Sequence, residues 1–134
     1  MNIMDLSTAK NRSLKTMIGL LTIIILFHFC LITKIIPYDI AWGGRLKNDT
    51  QMYIFEILSI IMNGLLITVL LLKANYLYYK ISEKVLDGVL WFFVILFALN
   101  SFGNLFAKTY SEKFFTIFTF ISTVLIWIIL KKKN

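Results

Sequence analysis

Residues 53–72 read YIFEILSIIMNGLLITVLLL, twenty positions of which only Glu56, Ser59 and Asn63 are strongly polar. A helix crossing about 30 Å of hydrocarbon needs roughly 20 apolar residues, so this stretch alone predicts a membrane span. Strands compete for runs rich in Ile, Phe and Thr, but barrel strands alternate over about ten residues. Runs such as Leu20 to Phe27 do not alternate, and helices are the expected form.

Moving outward from that stretch, three further apolar runs appear. The first covers about 16–36, from Thr16 between Lys15 and Lys34 and on through Ile35 and Ile36 to Pro37, which cannot continue a helix. The third covers about 85–107 and carries Asp87, Asn100, Ser101 and Asn104. The fourth covers about 114–130 and stops at Lys131-Lys132-Lys133. The basic start before the first run resembles a signal peptide, but the run is longer than the usual apolar core and no small-x-small cleavage site follows, so an uncleaved anchor is expected. These four runs and short connections use nearly all of residues 1–134, which leaves a single membrane domain. The expected fold is all-α, an integral membrane four-helix up-down bundle.

Composition agrees. The 134 residues are 59% hydrophobic and only 16% charged, with a mean hydropathy of +0.80, whereas a soluble domain carries roughly 45–50% apolar and 25% charged residues. The 14 Lys and Arg against 7 Asp and Glu sit at the ends of apolar runs and form no basic stripe, so nucleic acid is not an expected partner. One cysteine, Cys30, makes no internal disulfide and no metal-ligand spacing.

Orientation follows from the cations that flank the membrane. With both termini on one side, that side holds Lys10, Arg12, Lys15, Lys73, Lys80, Lys84, Lys131, Lys132 and Lys133, against Lys34, Arg45, Lys47, Lys108 and Lys113 on the other. Nine against five predicts cytoplasmic termini and a multi-pass protein of the inner (cytoplasmic) membrane. Tyr76, Tyr78 and Tyr79 with neighbouring lysines read as an inner-leaflet anchor.

Polar groups inside hydrocarbon are costly and must face protein or water. At 100° per residue, Glu56, Ser59 and Asn63 fall within about 60° of arc, so one polar face of the second span is expected to point into the bundle. Asn100 and Asn104 are one turn apart, and Gly103 with Ala107 offers a small-xxx-small face for close packing. Thr116, Thr119 and Thr123 share an arc on the fourth span, and the first contributes His28. Placing Ile35, Tyr53, Ala107 and Phe114 at the outer ends sets Glu56, Asn104 and Thr116 roughly 3–5 Å deep, and His28, Asn100 and Thr119 roughly 8–11 Å deep. The candidate ligand-binding residues are therefore His28, Glu56, Asn63, Asn100, Asn104 and Thr119, layered in the outer half above an apolar inner half. Such layering predicts a polar pocket open outward.

Each has a plainer reading. Asn and Thr commonly bond across or along membrane helices as structure, for about 0.6 kcal/mol each. Burial disfavours the charged forms of His28 and Glu56 unless they pair, and Glu56 also has Arg45 or Lys108 within plausible reach. Asp87, beside Lys84, reads as a solvated end charge. The loop Pro37-Tyr38-Asp39-Ile40-Ala41-Trp42-Gly43-Gly44-Arg45-Leu46 is equally a lid or headgroup clamp built on Asp39, Trp42 and Arg45, or a turn anchored by Trp42, with Arg45 folding back onto Asp39 or Glu56.

No Gly-rich phosphate loop, nucleophile elbow, His/Cys cluster or paired carboxylates occur, so no catalytic residue, metal or cofactor is expected. The expected partners are the lipid bilayer, a lipid-like or small amphipathic molecule, and a membrane protein or second copy. An intramembrane enzyme or redox accessory using Glu56 and His28, and a small proton-coupled homo-oligomeric transporter, are the alternatives.

With four spans, a short loop before the second and the segment Tyr53-Ile54-Phe55-Glu56-Ile57-Leu58 at its start, the chain resembles the small DoxX-like bacterial membrane proteins. The resemblance implies a four-helix membrane fold, a setting in redox or sulfur metabolism or in a membrane-protein complex, and Glu56 as a candidate residue.

Overall fold

The computed structural model describes residues 2–106 and 109–132. Four helices follow one another: α1 (Ile3–Ile32), α2 (Asp49–Lys73), α3 (Glu83–Leu105) and α4 (Tyr110–Leu130). All four are long and apolar enough to cross a membrane, and the described residues form no strand. Neighbours in space are α1 with α2, α2 with α3, α3 with α4 and α4 with α1. The helices thus form a ring in which the start of α1 and the end of α4 lie at one end, the terminal end, and the α1–α2 connection lies at the other, the loop end.

The helices outrun the apolar stretches because their ends are capped. Asn2 caps α1 in a capping box with Asp5, which starts the helix well before Thr16 and carries a polar segment beyond the apolar run. Asn48 accepts from the Gln51 N–H at 2.9 Å and starts α2. Thr109 accepts from the Glu112 N–H and donates to the Glu112 carboxylate, which starts α4.

At its other end α1 stops earlier than the sequence suggests. Pro37 is not the terminator. Lys34 takes φ 57°, and the Ile36 N–H returns to the Cys30 carbonyl, so the chain turns at 33–36 by a left-handed C-cap. Residue 107, expected to end the third span, lies outside the described residues.

The tightest packing is at the terminal end. Met17 and Leu21 of α1, Leu66 and Leu70 of α2, Leu90 and Phe93 of α3, and Ile126 and Ile129 of α4 are buried together. There Lys73 reaches from α2 to Glu83 and Asp87 of α3, 2.7 Å from each. Asp87 is therefore a clasp between helices and not a solvated end charge beside Lys84. It takes a long lysine stem from the facing helix to make the link.

Outward, the ring presents a belt of exposed apolar residues, among them Leu26, Ile57, Ile61, Leu65, Ile95, Leu99, Phe102, Ile117 and Phe120. Water would penalise such a surface and hydrocarbon would not. The fold is that of a multi-pass membrane protein.

Between α3 and α4 the Ser101 and Thr119 hydroxyls bond at 2.7 Å. Side-chain hydrogen bonds between membrane helices average about 0.6 kcal/mol, so Ser101→Ala is expected to lower stability by about that much. A chemical unfolding curve in detergent checks it; a change several times larger would give this bond an organising role that the geometry does not suggest. Gly103 makes no close approach to another helix: it is exposed, and a Cβ there would meet nothing within 4 Å. The expected small-xxx-small packing face is therefore absent at Gly103; Ala107 lies outside the described residues.

Candidate functional site

At the loop end the four helices line a half-open cavity of about 640 Å³, within the range of small-molecule sites. It is lined by His28 of α1, Phe55, Ser59 and Asn63 of α2, Phe97, Asn100 and Asn104 of α3, and Glu112, Phe115 and Thr119 of α4. Trp42 and Arg45 from the α1–α2 connection complete the wall. Of the four neighbouring helix pairs, α2 and α3 touch least, and their loop-end halves supply most of the polar lining.

Glu56 stands behind this wall, fully buried. Its Oε2 lies 2.5 Å from His28 Nδ1, and its Oε1 accepts from the Trp42 indole N–H at 2.7 Å. Glu56 therefore pairs with His28 and Trp42 and not with Arg45; Lys108 lies outside the described residues. The depths expected from sequence put His28 well below Glu56, and the early end of α1 together with the early start of α2 at Asp49 narrows and reverses that offset. His28 sits about 6 Å before the end of α1 and Glu56 about 10 Å after the start of α2, close enough for the side chains to meet.

The strap that brings Trp42 here is built from two short 3-10 turns, Tyr38–Ile40 and Trp42–Gly44. Trp42, Gly43 and Gly44 all have positive φ, at 53°, 65° and 68°. For a bulky residue such as Trp42 this conformation costs about 1–3 kcal/mol and persists only where its surroundings hold it. The bond to Glu56 and a tilted stack on Phe55, with ring centroids 5.1 Å apart, do so. Gly43 lies against Glu112 so closely that a Cβ would overlap the carboxylate, which is why the strap needs glycine there.

Arg45 folds back onto neither Asp39 nor Glu56. Its guanidinium stands 4.0 Å from the Glu112 carboxylate at the rim, with the arginine largely exposed and the glutamate mostly buried. Asp39 is exposed in the first turn and does not line the cavity. Gln51 and Glu112 also line the cavity, outside the candidates read from sequence; Glu112 precedes the apolar run that starts at Phe114, and the spacing Thr109-x-x-Glu112 is the capping signal that marks it.

The polar lining divides into used and unused groups. Thr119 is committed to the Phe115 carbonyl and to Ser101, Thr116 and Thr123 bond their own helix, and the Asn63 amide N–H donates to the Ser59 carbonyl. Asn100 and Asn104 have no hydrogen-bond partner among the described residues. Neither has His28 Nε2, and no buried side-chain nitrogen or oxygen lacks a partner, so this nitrogen opens onto accessible space. The described residues hold no group of three His, Cys, Asp or Glu arranged to bind a metal ion.

A second clasp ties the strap to α2. Asp49 accepts from the Lys34 ammonium and the Tyr38 hydroxyl, at 2.5 and 3.1 Å. These bonds raise Lys34 above its ordinary 10.5 and Tyr38 above 10.0. Both shifts favour the protonated form in the folded chain, so the clasp is intact below the unfolded values and is lost as pH rises through the folded ones. The same bonds hold Asp49 below its ordinary 3.8, so the clasp is also lost as pH falls through that lowered value. The strap is expected to loosen in strong acid and in strong alkali. Phenolate absorbance, compared between wild type and Tyr38→Phe, checks this; ionisation of Tyr38 below the pH at which free tyrosine ionises would contradict it.

No family model, no curated protein and no solved structure matches this chain.

Proposed function

We propose that this is a small, non-enzymatic membrane protein of the inner membrane, with cytoplasmic termini, that binds a lipid-like or small amphipathic molecule in the loop-end cavity. One observation carries the reading: a cavity of about 640 Å³, lined from all four helices and the strap, into which the Asn100 and Asn104 amides project unbonded. Amide groups left unpaired at membrane depth are costly, and a bound molecule with polar and apolar parts supplies what they lack. The nine-to-five division of flanking cations supports the orientation. The resemblance to DoxX-like proteins rests on layout and on the segment around Glu56.

Native mass spectrometry from a mild detergent tests the proposal. The wild type is expected to retain a discrete adduct that is lost when Asn100→Leu and Asn104→Leu are combined. Bare protein in both spectra, or an adduct unchanged by the double substitution, would remove the cavity as a ligand site.

A second reading, an intramembrane enzyme, draws support from the 2.5 Å approach of His28 to Glu56. A histidine with one nitrogen on a buried carboxylate and the other facing a cavity is arranged as a general base. The readings part on whether the retained molecule is returned unchanged. A transporter fares less well, since the packed layer of Met17, Leu21, Leu66, Leu70, Leu90 and Phe93 stands between the cavity and the terminal end.

A further inference from the structure

The ligand class can be narrowed from the atoms the cavity offers, an inference that rests on the ligand-binding reading above. Glu56 faces two nitrogen atoms, Trp42 Nε1 on one oxygen and His28 Nδ1 on the other. The indole nitrogen is always a donor. With Glu56 as a carboxylate accepting from both and the imidazole neutral, the ring carries its proton on Nδ1 and presents Nε2 to the cavity as a bare acceptor.

The rest of the wall is aromatic and without excess charge. Phe27, Phe55, Phe97, Phe115 and Phe118 line it, and the charges at the rim, Arg45 and Glu112, are of opposite sign and face each other. An ionic headgroup would find no unpartnered countercharge, whereas Asn100 and Asn104 both donate and accept. We propose that the cavity takes a neutral, hydroxyl-bearing amphiphile whose O–H donates to His28 Nε2, with Glu56 as the positioning residue that fixes the imidazole and the aromatic walls holding the apolar body. Two sources share this chemistry, a hydroxylated ring and an acylglycerol.

The test uses the full chain in lipid nanodiscs. The protein has three tryptophans, so Trp91→Phe and Trp127→Phe leave Trp42 as the reporter of occupancy. The probes are para-octylphenol, its methyl ether, which has lost only the donor, and monooleoylglycerol. At least one hydroxyl probe is expected to quench Trp42 saturably, with the phenol about tenfold tighter than its ether, the worth of one good hydrogen bond in a dry site. Saturation by the phenol assigns the ring body, and saturation by monooleoylglycerol alone assigns the acyl body.

His28→Ala is expected to abolish the preference for a donor. In Glu56→Gln the amide oxygen keeps the Trp42 N–H and the amide N–H turns to Nδ1, which moves the imidazole proton to Nε2. That variant is expected to bind phenol and ether alike, since the oxygen of each can accept from Nε2–H, while still binding both more tightly than His28→Ala does, which mere loosening of the fold would not produce. Equal binding of phenol and ether by the wild type would overturn the hydroxyl assignment and leave the wider ligand-binding reading standing. Absence of saturable binding by all three probes would also overturn it, and the native adduct then shows separately whether the cavity holds a ligand of another class.

Discussion

Replacing Glu56 by alanine is expected to lower the stability of the bundle in detergent by about 2 kcal/mol, since it strips the acceptor from two N–H groups, that of the mostly buried His28 ring and that of the partly exposed Trp42 indole. Each unpaired donor in such a site costs about 1–3 kcal/mol. The Trp42 indole and the His28 ring both bond Glu56, and the positive φ of Trp42 is held in place largely by the first of these bonds. In Glu56→Gln the amide oxygen keeps the Trp42 N–H and the amide N–H meets His28 Nδ1, so both contacts survive and the loss is expected to be well below that of the alanine variant. Unfolding followed through Trp42 fluorescence reads both. A loss below about 0.5 kcal/mol for Glu56→Ala, the size of an ordinary surface substitution, would mean that these bonds do not organise the loop end.

The second large effect is expected at Gly43. An alanine there meets two obstacles: a φ of 65°, which costs an L residue about 1–2 kcal/mol, and the Glu112 carboxylate, which fills the space a Cβ would need. Glu112 cannot simply swing aside, because it is mostly buried and Thr109 holds its other oxygen at 3.0 Å. Gly43→Ala is therefore expected to cost about 2 kcal/mol or more and to lift the strap, shifting Trp42 emission to the red. Gly44→Ala is the natural comparison. Its φ is nearly the same, at 68°, but its Cβ would stand 3.6 Å from the nearest atom, so only the backbone strain remains. Adding Glu112→Ala to Gly43→Ala should recover the difference between the two, as a double-mutant cycle. Equal effects at both glycines would show that the strap does not rest on α4.

How far the sequence alone reaches can be judged from these residues. The four helices were legible because spans of about 20 apolar residues have few competing explanations, and the polar arc of Glu56, Ser59 and Asn63 marked the face of α2 that turns inward. The same reasoning brought His28, Asn100, Asn104 and Thr119 to one end of the bundle. It misjudged the level of His28, since the left-handed turn at Lys34 has no strong local signal and Pro37 offered a more obvious stop. It left Glu112 aside because hydropathy begins α4 later than the Thr109 cap does. The contact between Trp42 and Glu56 was beyond reach, because a strap that folds over a cavity is fixed by the walls it meets. Gly103 shows the converse: a spacing that favours close packing is only a permission, and here the position is exposed with open space beside it.

One measurement addresses the core of the account, which is that Glu56 holds His28 with a bare nitrogen toward the cavity. The chain has a single histidine, so selective nitrogen-15 labelling gives one pair of ring resonances with no assignment problem. A protonated, hydrogen-bonded Nδ1 and an unprotonated Nε2 are expected, with the Nε2 signal moving when a hydroxyl-bearing amphiphile is added and the Nδ1 proton staying in place. A proton on Nε2, or on both nitrogens, would contradict it.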